Sequence, residues 1–241
     1  MKPESLLGIA LELIESTLAP GPFPADARVG RFFRERRFLG SHDRRFLGDA
    51  AYGWLRHFPR ARLRWTTWAA RHDAASLDAA VAVDPRAAIL CEVLALAADG
   101  LFPWSLEETI GAARGVKWSS TEAGDLVRKA LDRVASGPFL TPETDWPPLG
   151  PEHRAARMSL PVWLADRLVE ENGEEKAAAL AAAFTGEGTV DLRVHQRRVS
   201  REKARKHLEK EIDRTIELTP WSPLGLRLNG RQNLTGSGQP S

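Results

Sequence analysis

The sequence predicts a mainly α-helical protein, an all-helical bundle followed by a small α+β region. Three observations lead there. Up to Val134, apolar residues recur at helical spacing and no stretch alternates with period two. Five prolines, Pro138, Pro142, Pro147, Pro148 and Pro151, then interrupt the pattern among polar residues. Alternation appears only afterwards, at Val190, Leu192 and Val194, and again at Ile216 and Leu218 and at Leu224, Leu226 and Leu228. At 241 residues the chain has room for two modest domains, each with its own core. The expected division is a bundle over 1–136, a stiff Pro-rich linker over 137–151 and an α+β region over 152–234. Residues 235–241, mostly Gly, Ser, Gln and Pro, form a tail unable to build a core.

The first helix is expected over 3–18, where Leu6, Leu7, Ala10, Leu11, Leu13 and Ile14 make a wide apolar stripe that Pro20, Gly21 and Pro22 end. Asp26 to Arg37 reads as a short basic helix with Val29, Phe32 and Phe33 inward. Around Gly40–Trp65 the chain is organised: Ser41 is a candidate N-cap, Asp43 sits in the first turn, and Phe46, Leu47, Ala50, Ala51, Trp54, Leu55 and Phe58 share a face. A further helix is expected from Leu63, Thr67 and Ala70, with Trp65 and Trp68 along its flank. Asp84 followed by Pro85 starts a nearly all-apolar helix to Gly100, which belongs at the centre. Ser105 with Glu108, and Ser119 with Glu122, have the capping-box spacing and start two more helices, about seven in all. Beyond the prolines, Pro161 starts a helix through Trp163, Leu164 and Leu168 to Gly173, and a second runs from Glu174 to Phe184. One strand is expected at 190–194, an exposed basic helix at Ser200 to Lys210, and two short strands around the turn Pro220 to Pro223.

The net charge of +2 is too small to argue for a polyanion partner, but the charge is unevenly placed. From Arg28 to Arg71 there are twelve arginines against three acids. Arginine outnumbers lysine, which suits bidentate phosphate recognition and equally suits a GC-rich coding sequence. A single cysteine, Cys91, excludes a disulfide framework and a cysteine-based zinc site. It lies within an apolar helix with no nearby base, so a buried, inert thiol is expected. The six histidines show no i, i+4 pair at ligand spacing, and no metal is expected. With no signal-peptide pattern and no apolar window near 18 residues, the expectation is a soluble cytoplasmic protein.

The stretch SHDRRFLGDAAYGWLR resembles the signature helix of the NusB-like domain that begins the RsmB/Sun family of rRNA cytosine-C5 methyltransferases. The second half is similar to the same family's next region: SLPVWLADRLVEENGEEKAAAL to its proline-started helix pair, DLRVHQRRVSREKARKHL to its strand-helix segment, and SPLGLRLNGRQNL to the strand before its catalytic domain. His195 and Arg128 depart from that pattern, standing where asparagines are expected. The resemblance implies that these parts bind ribosomal RNA. It further implies a Rossmann-like domain that uses S-adenosylmethionine and two cysteines to methylate C5 of a cytosine. This sequence has no glycine-rich turn after a strand, no Pro-Cys motif and no second cysteine. The expectation is an RNA-binding part, truncated before the catalytic domain and inactive alone. A separately encoded catalytic half is a further candidate partner, and the alternative is a stand-alone NusB-like module binding RNA or protein in transcription or ribosome assembly.

Candidate phosphate contacts form two clusters. In the first, Arg44 has a structural alternative, pairing with Asp43 or Asp49, while Arg45 and Arg56 favour the surface role. The second comprises Arg193, Arg197, Arg198, Arg201, Lys203, Arg205, Lys206 and Lys210, for which a solvated helix face is the bland reading. Trp54 and Trp163 are expected in cores, whereas Trp146 and Trp221 are free to stack on an unpaired base.

Overall fold

A computed structural model describes residues 1–70, 75–136, 150–186, 188–212 and 215–228. The expected linker core at 137–149 with Trp146, the tail at 235–241, and Arg71 lie outside the described residues. The chain divides into two compact units, Met1–Thr185 and Gly186–Ser241.

The first unit is helical among its described residues: α1 (Pro3–Leu18), α2 (Ala25–Glu35), α3 (Ser41–Ala69), α4 (Ala75–Val83), α5 (Arg86–Ala98), α6 (Leu106–Ala113), α7 (Thr121–Ser136), α8 (Pro151–Met158), α9 (Val162–Asn172) and α10 (Glu174–Thr185). The stripe of α1 places Leu7, Leu11 and Ile14 in one core with Leu47, Ala50 and Trp54 of α3 and Leu90, Val93 and Leu96 of α5, all fully buried. As its composition requires, α5 is central, with Cys91 buried and its Sγ 2.9 Å from the Ala87 carbonyl oxygen. A side chain at Gly53 would meet the Leu101 carbonyl at 3.3 Å, so this glycine lets the loop before α6 approach α3 closely.

Four expectations change. The two helices expected on either side of Pro59 are one 29-residue helix, α3. Proline in a helix interior costs about 3 kcal/mol, but Ala61, Leu63, Thr67 and Trp68 continue the buried face begun by Trp54, and their burial outweighs it. The N-cap of α3 is Gly40, whose N–H donates to Asp43 Oδ2 at 3.3 Å, and Ser41 is the first helical residue. At α7 the capping hydroxyl is that of Ser120, which accepts from the Ala123 N–H at 3.1 Å. The Ser119 N–H is engaged elsewhere, donating to Asp84 Oδ2 at 3.0 Å. Finally, Pro151 begins α8 rather than ending the linker; α8 packs against α3 and α9, burying Ala155 and Met158. Ser105 and Glu108 do form a reciprocal capping box, at 2.8 and 3.2 Å.

The second unit is β1 (Val190–Arg193), α11 (Arg201–Ile212), β2 (Glu217–Leu218) and β3 (Gly225–Leu228). Its sheet has the order β1-β3-β2, both outer strands antiparallel to β3, with Val190 opposite Leu228 and Leu218 opposite Leu226. β1 and β2 therefore run parallel, joined through α11 with β3 between them, the split β-α-β arrangement of ferredoxin-like folds. Val194, Ile216, Leu226 and Leu228 form the core, covered by Val199, Ala204, Leu208 and Ile212. The spacing 204, 208, 212 defines the inward face of α11.

Candidate nucleic-acid interface

The arginines of the first unit are mostly absorbed by the fold. Arg28 sends its guanidinium into the chain end of α1, donating to the carbonyls of Ser16, Ala19, Gly21 and Phe23. Carbonyls at a helix end have no helical donor, so the charge is placed where the helix dipole favours it. Arg36 pairs with Glu12 at 3.2 Å and lies 3.6 Å above the Phe32 ring. On α3, Arg60 and Arg64 both bond Asp99. Arg62 Nε donates to Glu92 Oε1 at 2.7 Å, and Glu92 Oε2 accepts from the Trp54 indole N–H at 2.9 Å. Burial pushes the Glu92 carboxyl above the usual range, with the Arg62 and Trp54 bonds opposing it. Burial likewise lowers the His57 pKa, helped by Arg56 and Arg60 and opposed by Asp99.

Of the candidate residues here, Arg44 is half-buried and turns to main-chain acceptors rather than to Asp43 or Asp49: Nε donates to the Leu39 carbonyl at 3.0 Å and Nη2 to the Arg36 carbonyl at 3.3 Å. It fastens the turn that precedes α3. Arg45 is exposed, with Nε 3.9 Å from Asp49, and Arg56 is exposed. Arg34 and Arg37 are exposed as well, and only the overall charge of this region pointed to them.

The second unit keeps more of its charge on the surface. Arg193 on β1, Arg197 and Arg198 in the connection to α11, and Lys203, Lys206 and Lys210 on α11 are all exposed. The lysines lie off the face of α11 that carries Ala204, Leu208 and Ile212. Arg205 pairs with Glu202 at 3.3 Å. Arg201 is different: Nε and Nη2 donate to the Gly225 carbonyl at 3.0 and 2.7 Å, and Nη2 also donates to the Thr219 carbonyl at 2.9 Å. No sequence pattern announces this role, because the acceptors are main-chain atoms 18 and 24 residues away. Arg227 and Asp191 form a bidentate cross-strand pair at 2.7 Å, which lowers the Asp191 pKa.

The tryptophans divide. Trp54 is wholly buried, as expected, but Trp163 is 70% exposed. Leu164, Ala165 and Leu168 supply the packed face of α9, and Trp163 lies about 100° around the helix from Leu164. Trp221, in the β2–β3 turn, is 94% exposed.

With this geometry in place, one segment of the chain can be compared with a known family. Residues 160–235 match the model of the RsmF/B-like methyltransferase ferredoxin-like domain. That span covers α9, α10 and the split β-α-β unit with its exposed cations. Among solved structures, the one titled "Crystal Structure of PH0851" has the same fold, with a TM-score of 0.52 at 16% identity over 97% of this chain and 50% of that one. The chain thus spans about half the length of that protein. No curated protein matches the sequence. Among the described residues, no helix is long and apolar enough to cross a membrane, and no group of three or more His, Cys, Asp or Glu is placed to hold a metal.

Proposed function

We propose that this chain is the RNA-binding part of an S-adenosylmethionine-dependent rRNA cytosine-C5 methyltransferase, with the chemistry performed by a catalytic domain outside these residues. The observation that carries the reading is the exposed cation cluster of the second unit, Arg193, Arg197, Arg198, Lys203, Lys206 and Lys210, lying inside the segment that matches the RsmF/B-like model. Exposed guanidinium and ammonium groups bind phosphates without breaking internal pairs, and duplex RNA is read mainly through its backbone and shape. The helical unit serves as a NusB-like support, with Arg45 and Arg56 adding weaker phosphate contacts, while Arg44 and Arg201 act by holding turns. S-adenosylmethionine and the attacking cysteine belong to the catalytic domain, encoded in the same chain or separately.

Filter binding of the full chain to a helical rRNA fragment over a series of salt concentrations tests this. Arg197→Glu with Arg198→Glu is expected to weaken binding and to reduce the slope of log K against log salt by roughly one for each phosphate left without its cation. Unchanged affinity and slope would falsify the proposal.

A further inference from the structure

We propose that Trp221 is a stacking platform for one unpaired RNA base, whose flanking phosphates are held by Arg197 and Arg198. The inference deepens the RNA-binding reading above and rests on it.

A tryptophan 94% exposed contributes almost nothing to its own unit's core, yet the turn that carries it is heavily constrained. Pro220 and Pro223 flank it and limit φ on both sides. Within the turn, the Thr219 N–H donates to the Gly225 carbonyl at 3.1 Å, the Thr219 hydroxyl to the Ser222 carbonyl at 3.2 Å, and the Gly225 N–H to the Ser222 carbonyl at 3.2 Å. Gly225 admits the Thr219 side chain so closely that a Cβ there would collide with it. The indole is thus presented from a rigid base, which reduces the entropy lost when a ring stacks on it.

Other hydrogen bonds tie this turn to the connection that carries the cations. The connection bearing Arg197 and Arg198 is tied to the Trp221 turn at both ends: the Val194 N–H donates to the Leu224 carbonyl at 2.9 Å, and Arg201 donates to the Thr219 and Gly225 carbonyls. Between these anchors run His195, Gln196, Arg197, Arg198, Val199 and Ser200, and neither this connection nor 219–224 contains a carboxylate. One exposed π-face on a turn tied to a connection that bears two exposed guanidiniums, with no carboxylate in either segment, matches a nucleotide: a base to stack and phosphates to pair. A paired base is covered by its neighbours in the helix, so the platform selects a nucleotide that is unstacked, as in a loop or bulge.

The test compares two RNAs at one salt concentration, a perfectly paired hairpin stem and the same stem bearing a single-stranded extension, against the full chain. Trp221→Ala is expected to weaken binding of the extended RNA by about 5- to 150-fold, the range that corresponds to one aromatic–base stack. It should leave the paired stem within about twofold, and Trp221→Phe should retain most of the affinity. Circular dichroism and thermal melting check that each variant is folded. No weakening on the extended RNA, or an equal weakening on both RNAs, overturns the stacking role. Arg197→Glu with Arg198→Glu separates the two proposals. If that variant weakens both RNAs while Trp221→Ala weakens neither, RNA binding stands and the platform is wrong; if neither variant has any effect, both readings fall.

Discussion

Glu92 is the group whose removal tests the packing of the helical unit most sharply. Its carboxylate accepts from two donors in unlike surroundings: the indole N–H of Trp54, wholly buried, and Nε of Arg62, whose side chain is 59% exposed. Glu92→Ala leaves the indole N–H without an acceptor, at about 1–3 kcal/mol, and removes one buried methylene worth about 0.8 kcal/mol. Arg62 turns to water at little cost. The expected destabilisation is about 3 kcal/mol, or a fall in melting temperature of roughly 6–12 °C for a unit of this size. Glu92→Gln keeps a carbonyl for Trp54 and gives up only a partly exposed ion pair, so it should cost under about 1 kcal/mol. Because burial raises the Glu92 pKa in the folded state, the group's contribution is full below its unfolded pKa and declines as pH rises through the folded one. Glu92→Gln should abolish that decline. Urea unfolding followed by circular dichroism, with near-ultraviolet bands reporting the Trp54 environment, measures all three. Equal destabilisation by Ala and Gln would show that the charge, and not the acceptor for Trp54, is what matters.

Other residues give independent checks. Asp84 opens α5: burial works against its ionisation, but bonds from the Arg86 side chain and from the Ser119 and Arg86 N–H groups prevail and lower its pKa from 3.8 to about 2. Its stabilisation is therefore present above about pH 4 and fades as pH falls toward 2, worth roughly 2 kcal/mol; Asp84→Asn should flatten the unfolding free energy across that window relative to wild type. Gly225→Ala forces a Cβ into the Thr219 side chain and should destabilise the second unit by about 1–3 kcal/mol, read by hydrogen exchange at Leu226 and Leu228. Reduced protection in the helices of the first unit as well would contradict the division into two units.

Local periodicity carries much of this fold, and the exceptions have physical causes. The 3–18 helix, Gly173 as the stop after α9 at φ +78°, and strand β1 follow directly from the spacing of apolar residues. Pro59 is a false boundary, because the cost of a missing backbone bond is local whereas the burial of Ala61 and Trp68 is tertiary. The helices α4 and α8 leave only a weak pattern: one is rich in alanine, the other is eight residues long with two buried positions. At the candidate interface, exposure of Arg197, Arg198 and Lys206 agrees with the polar character of the segment that carries them. The partners of Arg44, Arg60 and Arg201 are not legible, since backbone carbonyls and distant carboxylates leave no local pattern around an arginine.

The order of strands in the second unit has a consequence for how that unit comes into being. Among the described residues, β1 and β2 share no ladder; each is bonded to β3, the last of the three along the chain and the middle one in space. During synthesis, a nascent chain that has passed Leu218 holds two strands with nothing to pair them. The sheet needs Gly225–Leu228 between them, and that strand also brings the carbonyl that receives Arg201. The helical unit, whose contacts do not wait for that strand, is free to condense earlier. The arginine-bearing connection therefore has both of its anchors only once residues 219–225 are present.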